Sequence, residues 1–128
     1  MNENHSCKTV SKLKTIIQNN KIVILKLSAD WCEPCKLVEP LFIQAAKNVK
    51  YNINKLPANI PKPTIQFLSI DIDDLCEDVG IKWGQHLNCT GVPMFIIFFN
   101  GKTFDTVIGG DMEKVNNIIE ELIQQSLP

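Results

Sequence analysis

A chain of 128 residues with a net charge of −1 and 45% apolar content is large enough to bury its own core without disulfide staples. No apolar run approaches the roughly 18 residues that a membrane span requires, and "MNENHSCKTVSKLKT" at the N-terminus lacks the uninterrupted apolar stretch of a secretory signal. All 13 basic residues are lysine, so the arginine fork that reads phosphate or guanine is missing, and neither a nucleic-acid nor a membrane partner is expected.

From Ser6 to Gln18, Val10, Leu13, Ile16 and Ile17 recur at helical spacing. "KIVILKLSA" (21–29) follows the polar pair Asn19-Asn20 and reads as a buried strand. A wide apolar helical stripe then runs from Pro34 to about Lys50, through Leu37, Val38, Leu41, Phe42, Ala45, Ala46 and Val49. Pro34 suits the first helical turn, where its missing N–H costs nothing, whereas Pro40 falls inside the helix and should kink it. The segment 51–64 carries three prolines and three asparagines and reads as a loop. "IQFLSIDID" (65–73) is a second strand, and 74–90 reads as a short helix followed by irregular chain. "MFIIFFN" (94–100) and "KTFDTVIG" (102–109) form a hairpin about Asn100-Gly101. Asp111 should cap a last helix whose apolar face is Val115, Ile118, Ile119, Leu122 and Ile123. The alternation implies a layered α/β sheet, parallel at first and closed by an antiparallel hairpin.

Five cysteines, Cys7, Cys32, Cys35, Cys76 and Cys89, are odd in number and widely spaced. That argues against a secreted disulfide framework and for a reducing cytosol in which most thiols are free. Cys32 and Cys35 stand apart because they fall where a buried strand passes into a helix. There, unpaired N–H groups and the helix dipole favour an anion, and the thiolate is the nucleophilic form of cysteine. A metal site has the same spacing and could recruit His86 and Cys89. It fits less well, because two whole elements separate the pairs and Pro34 removes an N–H that zinc-bound sulfur commonly accepts from. Two inert core thiols would need neither Trp31 nor Pro34 on an exposed turn.

"ADWCEPCK" (29–36), Pro40, "FLSIDIDD" (67–74), "GVPMFIIFFNGK" (91–102) and Gly109 occur in the order of the thioredoxin family, which the chain resembles over nearly its whole length. The resemblance implies one thioredoxin-like domain over 1–128, with a central mixed sheet between helices. It also implies that Cys32 attacks and Cys35 resolves, that Pro93 is a cis-proline facing the pair, and that Val92 offers backbone groups to an extended substrate. Trp31 and Pro34 would belong to the contact surface. Four features depart from the family pattern. Glu33 stands beside Cys32 where glycine is usual, and its charge disfavours the thiolate. Lys26 replaces a buried aspartate that helps to deprotonate the resolving thiol. The loop 51–64 is about a dozen residues longer than usual. Met94 follows Pro93 where threonine is common, giving a softer contact surface.

The expected function is thiol–disulfide oxidoreduction on protein partners through Cys32 and Cys35, in the cytosol and as a monomer. Lys26 would act on the pair either as a charged neighbour or as a neutral base, or else would only snorkel to the edge of the sheet and leave the pair unaffected. No Gly-rich dinucleotide motif is present, so no bound cofactor is expected and electrons should come from an external reductase or small thiol. The alternative is a non-catalytic interaction module that uses the 51–64 loop.

Overall fold

The computed structural model of the protein describes residues 7–128. Its centre is β1 (Ile22–Ser28), whose residues from Ile22 to Leu27 are all buried. β2 (Ile65–Asp71) runs parallel to β1 on one side, and β5 (Met94–Phe99) runs antiparallel on the other. β6 (Lys102–Ile108) pairs antiparallel with β5, so the sheet order is β2-β1-β5-β6. This is the mixed sheet expected from the sequence. The hairpin turns at Asn100 and Gly101, with φ of 55° and 82°, the two left-handed positions that an Asn-Gly turn supplies.

Because β1 is buried on both sides, its alternate residues feed two cores. Ile22 and Ile24 join Phe67, Phe95 and Ile97 beneath α2 (Glu33–Asn54) and α4 (Met112–Ser126). Val23, Leu25 and Leu27 join Leu68, Ile70 and Ile96 on the opposite face. That face is covered by α1 (Val10–Asn19) and by Trp83, in the single-turn helix α3 (Trp83–His86).

Three boundaries differ from expectation. α1 begins at Val10 because the Thr9 hydroxyl accepts from Lys12 N–H at 3.0 Å, and the Asp78 carboxylate accepts from the N–H groups of Val10 and Ser11 at 2.9 and 3.1 Å. Ser6, the expected start, lies outside the described residues. α2 runs on to Asn54, so residues 51–54 are helix rather than loop. The reason is that Ile53 continues the stripe of Ala45, Ala46 and Val49 into the core, and the first breaker is Pro57. Finally, the segment after β2 forms the short antiparallel pair β3 (Leu75–Cys76) and β4 (Ile81–Lys82) before α3, turning at Gly80 with φ of 74°. At the other end of the sheet, Gly109 (φ 100°) leads out of β6 to Asp111, whose carboxylate accepts from Lys114 N–H at 3.1 Å and caps α4 as expected.

Candidate active site

β1 stops at Ser28, and within four residues the chain has turned into α2. Ala29 C=O accepts from Cys32 N–H at 3.1 Å, which closes the turn. Cys32 is the N-cap of α2: its sulfur accepts from the N–H of Cys35 at 3.2 Å, and Pro34 occupies the first helical turn without needing a donor. Cys32 and Cys35 are joined as a disulfide, with Cα atoms 5.3 Å apart. Each is only 4% exposed, and with Ala29 they form a small cluster lined by Ile72 and Val92.

Val92 belongs to the other wall. The Val92–Pro93 peptide bond is cis, as the resemblance implied. Pro93 C=O accepts from Gly109 N–H at 2.7 Å, which ties the turn to the end of β6. Trp31 is 66% exposed, and its Nε1–H donates to Asp73 at 2.8 Å, so the indole is held with its ring in solvent. Pro34 and Leu37 are exposed beside it. Met94 differs from expectation: its side chain is buried in the core on the α1 side and adds nothing to this surface. Glu33 is solvated and meets Lys36 Nζ at 3.1 Å, so a neighbouring cation offsets its charge beside Cys32.

Lys26 is completely buried, and its ammonium does not reach the edge of the sheet. It points at α2, lying 4.8 Å from the centre of the Phe42 ring and forming an ion pair with the Glu39 carboxylate. Burial pulls its pKa down to about 8. A carboxylate beside an ammonium acts in the opposite sense. Sequence reasoning missed both Glu39 and Asp73. A signal for Glu39 exists: a lysine in a strand buried on both faces needs a counter-charge, and Glu39 borders the apolar stripe of α2, one turn after Cys35.

The remaining thiols are placed differently. Cys7 and Cys76 are buried in the core opposite the site. Burial, then the neighbouring Cys76, pushes the Cys7 thiol up to about 11; burial, then the hydrogen bond to Asp78, raises that of Cys76. Cys89 is half-buried and donates its S–H to Gly91 C=O at 3.2 Å. His86 packs edge-on against Trp83. Among the described residues, no three or more His, Cys, Asp or Glu side chains gather as a metal site.

A two-cysteine bridge at the N-terminus of a helix, set against a cis-proline turn on this sheet, defines a thiol–disulfide oxidoreductase. The chain belongs to the thioredoxin family, whose sequence profile, Thioredoxin, matches residues 5–123. It is 30% identical over 115 residues to Thioredoxin H5 of Oryza sativa subsp. japonica, covering 90% of this chain and 72% of that protein. With a thioredoxin of Malassezia sympodialis it shares 28% identity over 113 residues, 86% of this chain and 90% of the relative. Among solved structures, reduced Schistosoma mansoni thioredoxin superposes with a TM-score of 0.69 at 27% identity, covering 95% of this chain and all of that one (100%). Fasciola hepatica thioredoxin superposes with a TM-score of 0.71 at 22% identity, over 91% and 97% of the two chains.

Proposed function

We propose that this enzyme, working as one thioredoxin-like unit and as a monomer in the cytosol, reduces disulfides in protein partners. Cys32 attacks, and Cys35 resolves the mixed disulfide. The observation that carries this assignment is the position of the two sulfurs. Cys32 caps the open end of α2, where a thiolate meets unpaired N–H groups, while Cys35 lies inside the first turn. The partner lies extended along Val92 and Pro93 and rests on Trp31 and Pro34, its backbone pairing with that of Val92. Lys26 enters the second half of the reaction: in its neutral form it takes the proton from Cys35. A pKa of about 8 suits a general base working near neutral pH. Oxidised enzyme is returned to the dithiol by an external reductase or a small thiol.

The assignment of roles is tested by limited alkylation of reduced, folded protein near neutral pH. Cys32 should be labelled first. Cys7 should stay unmodified, because a thiol with a pKa of about 11 is almost wholly protonated there, and Cys76 should stay unmodified because it is fully buried. Labelling that begins at Cys35 would reverse the two roles.

A further inference from the structure

Lys26 and Glu39 form a pair of charges one helical turn along α2 from Cys35. Lys26 shares its row of the sheet with Ser69 on β2 and Phe95 on β5, the row between the level of Phe67 and the end of β1 where the site begins. α2 runs back over these rows from the site. Cys35 packs with Ala29 at the mouth, Phe42 packs on Phe67 and Phe95, and Glu39 between them meets Lys26. The pair is asymmetric: the lysine side chain is fully buried, whereas that of Glu39 is 40% exposed.

We propose that Glu39 is a positioning residue for mixed-disulfide resolution: it aims Lys26 toward Cys35, sets the pH at which Lys26 accepts the proton, and provides that proton's way out to solvent. This rests on the reading of Lys26 as the base. Neutral Lys26 takes the Cys35 proton, and the Cys35 thiolate attacks the Cys32 sulfur. The bond between Cys32 and the substrate sulfur breaks as the Cys32–Cys35 bond forms, and the departing thiolate is protonated by solvent. Two electrons pass from the dithiol to the substrate, and the new ammonium discharges its proton through Glu39.

The other groups around Lys26 leave this role to Glu39. On α2 the other group facing the ammonium is the Phe42 ring, Cys35 lying one helical turn before Glu39, and α4 contributes the apolar Met112 and Val115 to the same core. Ser69 does not titrate in this range, and its Oγ is buried without a hydrogen-bond partner. Asp71, two rows nearer the site, has its carboxylate engaged by Asp73 N–H at 2.8 Å, and burial raises its pKa. The sign for Glu39 follows from its charge. A carboxylate beside an ammonium stabilises the protonated form, so removing it lowers the pH at which Lys26 becomes a base.

The test is stopped-flow reaction of the reduced protein with the aromatic disulfide dithiobis(nitrobenzoate), followed by release of its coloured thiol. Attack by Cys32 gives the first release and resolution by Cys35 the second. In Glu39→Gln the rising limb of the second phase should move to lower pH by about one unit, while the first phase is unchanged. Glu39→Asp, which keeps the charge, should retain the wild-type limb. In Lys26→Met the limb should disappear and the second phase should slow by about 10²-fold. An unmoved limb in Glu39→Gln, with Lys26→Met still slow, overturns the inference and leaves the base reading intact. A second phase unaffected by Lys26→Met removes the base reading and the inference together.

Discussion

Replacing Cys35 by serine should stop turnover after one attack. Cys32 remains at the helix terminus, so a partner disulfide is still opened, but nothing displaces the captured thiol and the mixed disulfide accumulates. Steady-state reduction should fall by about 10³-fold or more, because the second half of the reaction loses its intramolecular nucleophile. The geometry makes this loss steep. With Cα atoms 5.3 Å apart on one turn of α2, the two sulfurs meet without backbone movement, and no thiol from solution matches that effective concentration. The check is a cell extract passed over immobilised Cys35→Ser: proteins should be retained through a dithiothreitol-sensitive link. Retention equal to that of a Cys32→Ser, Cys35→Ser double variant would contradict the scheme.

The largest effect on stability should come from Phe42→Ala. Phe42 is fully buried, edge-on to Phe67 with centroids 5.5 Å apart and tilted against Phe95 at 5.9 Å, and its ring also faces the Lys26 ammonium. Truncation removes the aromatic contacts, leaves a cavity at the centre of the core under α2, and strips one wall from the charged pair. A loss of about 3–5 kcal/mol is expected, a large part of the roughly 5–15 kcal/mol that holds a domain of this size together. Urea denaturation of oxidised protein should show it as a lower midpoint with an unchanged slope. A loss below about 1 kcal/mol would mean that the core refills around the gap.

What could be read from the sequence followed from local rules. Pro34 and the cysteines mark a helix start, Asn100-Gly101 admits few turns other than the one observed, and Asp111 is a capping residue before an apolar face. What could not be read was decided by distant parts of the chain. The extension of α2 through Asn54 depends on Ile53 finding a place in the core, which outweighs the weak helix preference of the asparagines around it. Alternation along β5 sends Met94 inward, opposite Leu27, although Val92, two residues earlier, packs against the cysteine pair. Glu39 borders the apolar stripe and could be suspected as a counter-charge, but only the crossing of Lys26 over the sheet–helix interface picks it out from the other acidic residues. Asp73, one of several aspartates after β2, is singled out only by the indole of Trp31, 42 positions earlier in the chain.

The central claim is that the Cys32–Cys35 pair performs disulfide exchange, and the most direct measurement is reduction of insulin by dithiothreitol, followed as turbidity, with and without the protein. Wild-type protein should shorten the lag and raise the rate, whereas Cys32→Ser should match the uncatalysed control. Equal rates for wild type and Cys32→Ser would contradict the account and leave a thioredoxin fold serving as an interaction module.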